Sequence, residues 1–125
     1  MALMSRYGLT LDCRDADGWA ACFTDDGVFE GRLGTVRGRH TLRQYVERKE
    51  PDPAPRHISG IPSIDPDPHD PTRATATCAF VYPQTSRDAT VVDTAGHYRD
   101  ALVRVQPGRW LFERRTMVAD KAPGR

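Results

Sequence analysis

Asp12 is the side chain whose setting most favours chemistry in this sequence. It lies on a predicted first helix whose apolar arc is formed by Leu3, Met4, Tyr7, Gly8 and Leu11. On a helical wheel Asp12 lies about 40° from Gly8 and about 60° from Leu9, so its carboxylate projects from an apolar side. A carboxylate there is costly unless it is paired. A pairing with Arg6 or Arg14, or a helix cap, is the structural alternative to a functional partner.

A histidine is the partner that would give such a carboxylate a chemical role, because the carboxylate fixes the imidazole tautomer and raises its basicity. The sequence holds four histidines. His69 lies in a predicted solvated turn, and His40 opens a predicted helix where we expect it to be exposed. His57 follows Arg56 at the entrance of a predicted strand, where a structural role is the alternative.

His97 and Tyr98 have opposite strand parity, so only one of them can face a pocket on a regular strand. We favour Tyr98, because its face also carries Leu102. Asp100 shares that face, and a salt bridge to an arginine of the next strand, such as Arg115, is as good an interpretation as a role in the site.

Other chemistries find little support. No cluster of histidines and carboxylates has the spacing of a metal site, and there is no Gly-x-Ser-x-Gly elbow or phosphate-binding glycine loop. The adjacent Asp25 and Asp26 lie in a predicted turn, where their side chains diverge, which argues against a glycosidase. Cys13, Cys22 and Cys78 form no Cys-x-x-Cys pair, so we expect buried free thiols and no metal.

Size and charge indicate one small domain over residues 1–125. Eighteen basic residues nearly balance 17 acidic ones, and no run of basic residues forms a face for nucleic acid or an anionic membrane. The apolar stretches fall far short of the roughly 20 residues that cross a bilayer. With no signal-peptide pattern at the N-terminus, we expect a cytoplasmic protein.

The elements that must position these residues divide at the prolines of 51–55 and 66–71. The first half predicts two short helices, the second capped by Asp15 or Asp17, and a third helix after Gly38 that ends at Pro51. Between them, residues 24–27 predict a turn into a short strand at 28–31.

The second half predicts strands at 56–64, 73–82, 90–105 and 110–118, with a tight turn at Pro107 and Gly108. In the last strand the alternation places Trp110, Phe112, Arg114, Thr116 and Val118 on one face. Helices followed by a strand meander indicate an α+β fold, in which a curved antiparallel sheet packs on three helices and encloses an apolar pocket.

The order of motifs resembles that of SnoaL-like proteins of the nuclear-transport-factor-2 (NTF2-like) superfamily. The motifs are Tyr7 and Asp12, the run Trp19–Phe29, Gly38, Arg56–His57, Gly96–Asp100 and Gly108–Trp110. The resemblance covers nearly the whole chain and implies a cone-like sheet. The superfamily includes polyketide cyclases, dehydratases, ketosteroid isomerase and non-catalytic dioxygenase subunits, so the fold leaves the function open.

The dehydratase branch implies a site made of Tyr7, Asp12 and His57. His57, held by Asp12, would remove a proton next to a carbonyl and return it to a leaving hydroxyl, while the Tyr7 phenol donates a hydrogen bond to the enolate. The residues expected to contact the substrate are Trp19, Phe23, Tyr45, Tyr82, Tyr98 and Asp100.

Two functions follow as expectations. The first is a cofactor-free dehydratase, cyclase or isomerase acting on a hydrophobic carbonyl compound of polyketide or steroid type. The second is a non-catalytic ligand-binding or accessory subunit. The resemblance also implies a homodimer.

Overall fold

The computed structural model describes residues 2–51 and 54–120 and confirms the predicted α+β class. Within these ranges the helices are α1 (Ala2–Asp12), α2 (Ala16–Ala20) and α3 (Arg39–Glu47). The strands are β1 (Phe23–Gly31), β2 (Gly34–Arg37), β3 (Ala54–Pro55), β4 (Ile58–Ser59), β5 (Ser63–Pro66), β6 (Arg73–Thr85), β7 (Thr90–Gln106) and β8 (Arg109–Ala119).

The helices form where apolar spacing and capping predict them. α1 buries the arc that contains Leu3, Tyr7 and Leu11. Asp15 caps α2 by accepting a hydrogen bond from the Gly18 N–H at 2.9 Å. α3 ends at Glu47 and not at Pro51, because Val46 is the last residue that its apolar stripe buries. In the described part of the chain, no helix is long and apolar enough to cross a membrane.

The strands form one curled sheet in the order β2-β1-β8-β7-β6-β3, with β4 and β5 also paired to β6. The strand pairs are antiparallel, as predicted, except that β1 pairs with β8 in parallel, so the sheet is mixed. The chain enters the sheet through β1 after two helices, places β2 on one side of β1, and returns to the other side of β1 only at β8. The predicted turn between β7 and β8 is confirmed, and Gly108 supplies its positive φ of 74°.

Two segments of the sheet differ from prediction. Residues 24–27 belong to β1, where the pairing with β8 shifts between Phe23 and Val28, so they form an irregularity within a strand and not a separate turn. The predicted strand at 56–64 is divided into β4 and β5, since Gly60 and Pro62 interrupt the ladder. His57 therefore lies in the connection before β4. The β2 strand was not predicted.

The helices cover the face of the sheet that carries the core. In β6 exposed and buried side chains alternate from Arg73 to Val81. In β7 the side chains of Tyr98, Asp100 and Leu102 are buried on the same face, as predicted. In β8 the register shifts between its pairings with Ala101 and Leu102, so the predicted face is broken. Phe112 is buried as expected, but Arg115 is buried in place of Arg114.

The thiols are free, as expected, although their burial differs. Cys22 and Cys78 are buried, and burial raises the pKa of the Cys22 thiol to about 11. The prediction that Cys13 is buried is wrong. Cys13 follows the last residue of α1, where the chain turns at the surface, and it is exposed.

Candidate active site

Asp12 and His57 are in direct contact. The His57 Nδ1 lies 2.5 Å from the Asp12 Oδ1, and the two side chains are only 7% and 10% exposed, respectively. The His57 backbone N–H also donates to both carboxylate oxygens, at 3.0 and 3.1 Å. One carboxylate at the end of α1 thus fixes both the backbone and the ring of a residue 45 positions away.

This contact defines the tautomer of the imidazole. With its Nδ1–H donated to Asp12, a neutral His57 ring presents Nε2 as an acceptor. Within residues 2–51 and 54–120, Nε2 has no hydrogen-bond partner, and the ring forms part of a cavity wall. Nε2 is therefore available to accept a proton from a molecule in that cavity.

Burial also favours the neutral form of this imidazole. Burial lowers the pKa of His57 below 6.5, and Asp12 offsets this effect only in part. Lys49 and Arg115 act in the same direction as burial. Near neutral pH the ring is therefore a free base.

Gly8 explains how α1 can approach the His57 segment so closely. A Cβ at position 8 would lie 2.9 Å from the His57 carbonyl oxygen, closer than real Cβ atoms come to another heavy atom. Only glycine therefore lets the helix pack directly on this backbone. Gly8 and Asp12 are one helical turn apart, so they lie on the same side of α1. Gly8 lets the helix approach the His57 backbone, and Asp12 then binds His57.

Tyr7 lies at the centre of the aromatic core. Its side chain is fully buried, and its ring centroid is 6.3 Å from that of His57 in an edge-on arrangement. Its hydroxyl lacks a hydrogen-bond partner among the residues that the structure describes. Burial raises the pKa of the Tyr7 phenol well above its ordinary value, so the group is a neutral donor.

A cavity of about 430 Å³ opens beside these groups, a size that suits a small organic molecule. Its inner wall combines Tyr7 and His57 with apolar and aromatic side chains: Leu11, Phe29, Tyr45, Tyr82 and Met117. Its polar lining includes Arg32, Lys49, Glu50, Gln84 and Asp93. Arg32 is held in place there by Asp93, at 3.0 Å, and by the Thr94 hydroxyl, at 2.9 Å.

The residues expected to contact a substrate fall into two groups. Tyr45 and Tyr82 line the cavity, and the Tyr82 ring lies 4.4 Å from the His57 ring between centroids. The others lie in the core outside the cavity lining: Trp19, Phe23, Tyr98 and Asp100. Trp19 stacks on Tyr45 with a centroid distance of 5.4 Å, so it supports the wall from behind.

Asp100 forms the predicted salt bridge with Arg115, at 3.0 Å. Both side chains are completely buried, and burial raises the pKa of the Asp100 carboxyl to about 6, against the opposing effect of Arg115. Asp100 is thus the partner of a buried cation and does not line the cavity.

The remaining histidines lie apart from this site. His40 and His69 are exposed, as expected, and His97 is half-buried on the strand face opposite to Tyr98. Among residues 2–51 and 54–120, no three His, Cys, Asp or Glu side chains are grouped so that they could hold a metal ion.

Several residues that line the cavity were not predicted from the sequence. Phe29 was placed in a short strand without a role, although it lies in the run that resembles SnoaL-like proteins. Met117 was missed because the break in β8 reverses the parity after Phe112. Arg32 and Lys49 carry no pattern that distinguishes them from other surface cations.

The chain belongs to the SnoaL-like domain family, whose profile matches residues 1–116. A search of the curated proteins found no match.

Solved structures share the fold. A variant of Rv3472, a function unknown protein from Mycobacterium tuberculosis, is 32% identical with a TM-score of 0.87, over 98% of this chain and 70% of that one. An NTF2-like protein with a cystatin-like fold from Novosphingobium aromaticivorans is 20% identical with a TM-score of 0.83, over 99% and 80% of the two chains. A Catenulispora acidiphila protein in complex with S-DNPA is 28% identical with a TM-score of 0.77, over 93% and 88%. The predicted NTF2-like architecture is confirmed.

Proposed function

We propose that this protein is a cofactor-free dehydratase or cyclase acting on a hydrophobic carbonyl compound of polyketide or steroid type. The observation that carries the proposal is the Asp12–His57 contact, which holds a neutral imidazole against the wall of an aromatic cavity. Membership of the SnoaL-like family and the S-DNPA complex of a relative support a small-molecule ligand for this cavity.

The first step is removal of a proton from the carbon next to the substrate carbonyl. His57 Nε2 accepts this proton, and the electron pair of the C–H bond moves through the carbon–carbon bond to form an enolate. The Asp12 carboxylate stabilises the imidazolium through Nδ1, and the Tyr7 hydroxyl donates a hydrogen bond to the enolate oxygen. The Tyr7 phenol suits this task because it is buried and neutral and makes no hydrogen bond of good geometry with the described residues.

The second step depends on the substrate. Where a hydroxyl stands on the β carbon, the imidazolium returns the proton to that hydroxyl, the C–O bond breaks and water leaves, so the sum is a dehydration. Where the same molecule carries a second carbonyl within reach, the enolate carbon attacks it and the imidazolium protonates the new alkoxide. That outcome is an aldol cyclisation.

Proton abstraction can be tested before the natural substrate is identified. The probe is β-tetralone, a bicyclic ketone, incubated in D₂O and followed by the loss of its α-proton NMR signal. We expect exchange with the native protein above the buffer rate, and a rate near that of buffer with His57→Ala. His69→Ala is the matched control, because it removes an exposed histidine that does not line the cavity.

A binding measurement separates the two functions. S-DNPA and β-tetralone are titrated into the protein while the fluorescence of the two tryptophans is followed. Exchange that depends on His57 supports catalysis. Saturable binding without any exchange would contradict the enzymatic proposal and favour a non-catalytic ligand-binding or accessory role.

A further inference from the structure

Arg115 is a buried cation at the centre of the aromatic core. Its side chain is completely buried, and its guanidinium carbon lies 3.5 Å from the Tyr98 ring centroid and 4.3 Å from that of Tyr7. The Phe112 ring lies 4.6 Å away, and Nη2 donates to the Met4 sulfur at 3.4 Å. The cation is thus stacked against the residue that supplies the phenol of the site.

The ion pair of Arg115 and Asp100 is poorly explained by stability. Burying two charges is expensive, and the attraction repays it only when the remaining polar atoms are hydrogen-bonded. In the described part of the chain, both carboxylate oxygens of Asp100, and Nε and Nη1 of Arg115, lack a hydrogen bond of good geometry despite the 3.0 Å contact. Two apolar residues of similar volume would satisfy this position at least as well.

The placement of the pair suggests an electrostatic purpose. Asp100 and Arg115 are directly opposite on β7 and β8, and the cation faces the ring of Tyr7. The Tyr7 ring in turn contacts the His57 ring edge-on. A positive charge in this low-dielectric setting therefore acts on both groups over a short distance.

We propose that Arg115 is a positioning residue whose buried charge adds to burial in opposing protonation of His57 and strengthens Tyr7 as a donor to a negatively charged oxygen. Its part in turnover rests on the proposed function, but its effect on the two side chains does not. Among the charges that act on His57, Asp12 favours the imidazolium, and Lys49 and Arg115 oppose it. Arg115 is also the main influence opposing the rise in the pKa of Tyr7 that burial causes.

The test measures the pKa of His57 by NMR titration of protein labelled with ¹⁵N-histidine, without any ligand. The guanidinium carbon lies 4.3 Å from the Tyr7 ring centroid, which lies 6.3 Å from that of His57. At a separation of about 10 Å and an effective dielectric constant of about 20, Coulomb's law limits the effect of this charge to about one pH unit, so Arg115→Met is expected to raise the pKa of His57 by about half to one pH unit. Arg115→Lys retains the charge and should leave the pKa close to that of the native protein. Arg114→Met is the matched control, since Arg114 is the adjacent residue but is 45% exposed and pairs with Glu30.

A second variant guards against misfolding. Asp100→Asn/Arg115→Met leaves no unpaired buried charge and should raise the pKa of His57 in the same direction. A shift no larger than that of Arg114→Met, in either folded Met variant, would overturn the proposal. So would the failure of both Met variants to fold while Arg115→Lys folds, because Arg115 would then be required for the structure itself.

Because no substrate is present, the result does not depend on the proposed function. A shifted pKa in a protein that never exchanges α-protons would support the electrostatic role of Arg115 and contradict the enzymatic proposal. An unshifted pKa of His57 in a protein that does exchange α-protons would support the enzymatic proposal and contradict the electrostatic role of Arg115.

Discussion

Asp12 binds His57 at two points, the ring Nδ1 and the backbone N–H, so one carboxylate sets both where the imidazole lies and which tautomer it adopts. The carboxylate therefore has two roles: it positions the His57 ring, and its charge stabilises the imidazolium. Variants that separate the two roles give the first prediction.

Asp12→Asn should reduce turnover of the substrate about 100-fold or more while the protein stays folded. The asparagine oxygen can still accept a hydrogen bond from His57, but it carries no charge to stabilise the imidazolium. The rate of α-proton exchange and the thermal unfolding curve are the measurements. Asp15→Asn removes a carboxylate three positions away and keeps a good helix cap, so it should change neither quantity. Equal rates for the two variants would contradict the role of Asp12.

Gly8→Ala should lower the free energy of unfolding by about 1–3 kcal/mol, because the new methyl group overpacks against the His57 carbonyl. It should also reduce exchange, since His57 is displaced from Asp12. Gly60→Ala is the matched control, because Gly60 lies three residues after His57 in the chain segment that α1 contacts. A Cβ there meets its nearest atom at 3.7 Å, an ordinary contact, so stability should change little. Denaturant unfolding of both variants decides the matter.

Tyr7→Phe should leave stability unchanged or raise it by about 1 kcal/mol, because it removes a buried hydroxyl that has no partner among the described residues. Exchange should fall, since the enolate loses its donor. Tyr98→Phe removes another buried hydroxyl that has no partner in the described part of the chain, but Tyr98 does not line the cavity. It should match Tyr7→Phe in stability and the native protein in rate. Equal rates for the two phenylalanine variants would mean that Tyr7 is only a core residue.

Stability should depend on pH through His57. Burial lowers the pKa of His57 in the folded protein. The contribution of this residue to the free energy of unfolding is therefore present above about pH 6.5, the pKa of an ordinary histidine, and is lost as the pH falls. His57→Asn does not titrate and should lose less stability between about pH 7 and pH 5. Tm measured across this range gives the comparison, and parallel curves for the two proteins would contradict the lowered pKa.

Asp100 should act in the opposite sense. Burial raises the pKa of the Asp100 carboxyl to about 6. Its contribution to the free energy of unfolding is therefore present at low pH and is lost as the pH rises through about 6. Asp100→Asn lacks this contribution, so its Tm should fall more steeply on acidification than that of the native protein. A shallower fall would mean that the carboxyl is not raised in pKa.

Much of the fold could be predicted from local patterns. The arc of α1, the cap at Asp15 and the Pro107–Gly108 turn depend on neighbouring residues, and all are present. The parallel pairing of β1 with β8 could not be predicted, because it joins residues as far apart in the chain as Phe23 and Phe112 and has no local signal. The same is true of the shift in β8, which buries Arg115 and turns Met117 towards the cavity.

The site was predicted less evenly than the fold. The setting of Asp12 on an apolar helix side indicated a paired carboxylate, and the resemblance supplied His57 as its partner. Residue type does not distinguish a side chain packed in the core from one that lines a cavity. Trp19, Phe23 and Tyr98 were therefore expected at the cavity, although they lie in the core. Helical and strand periodicity tell which side chains point inward, but not which of them meet a void.

The parallel pairing of β1 and β8 also has a consequence for how the protein is made. β8 follows every other described element in the chain, and it brings Phe112 and Arg115 beneath Tyr7. During synthesis the apolar faces of α1 and β1 therefore lack their packing partners on β8 until residues 109–119 have left the ribosome. A nascent chain that is stalled before β8 exposes aromatic surface and should be a target for chaperones, whereas the released chain can close its sheet at once.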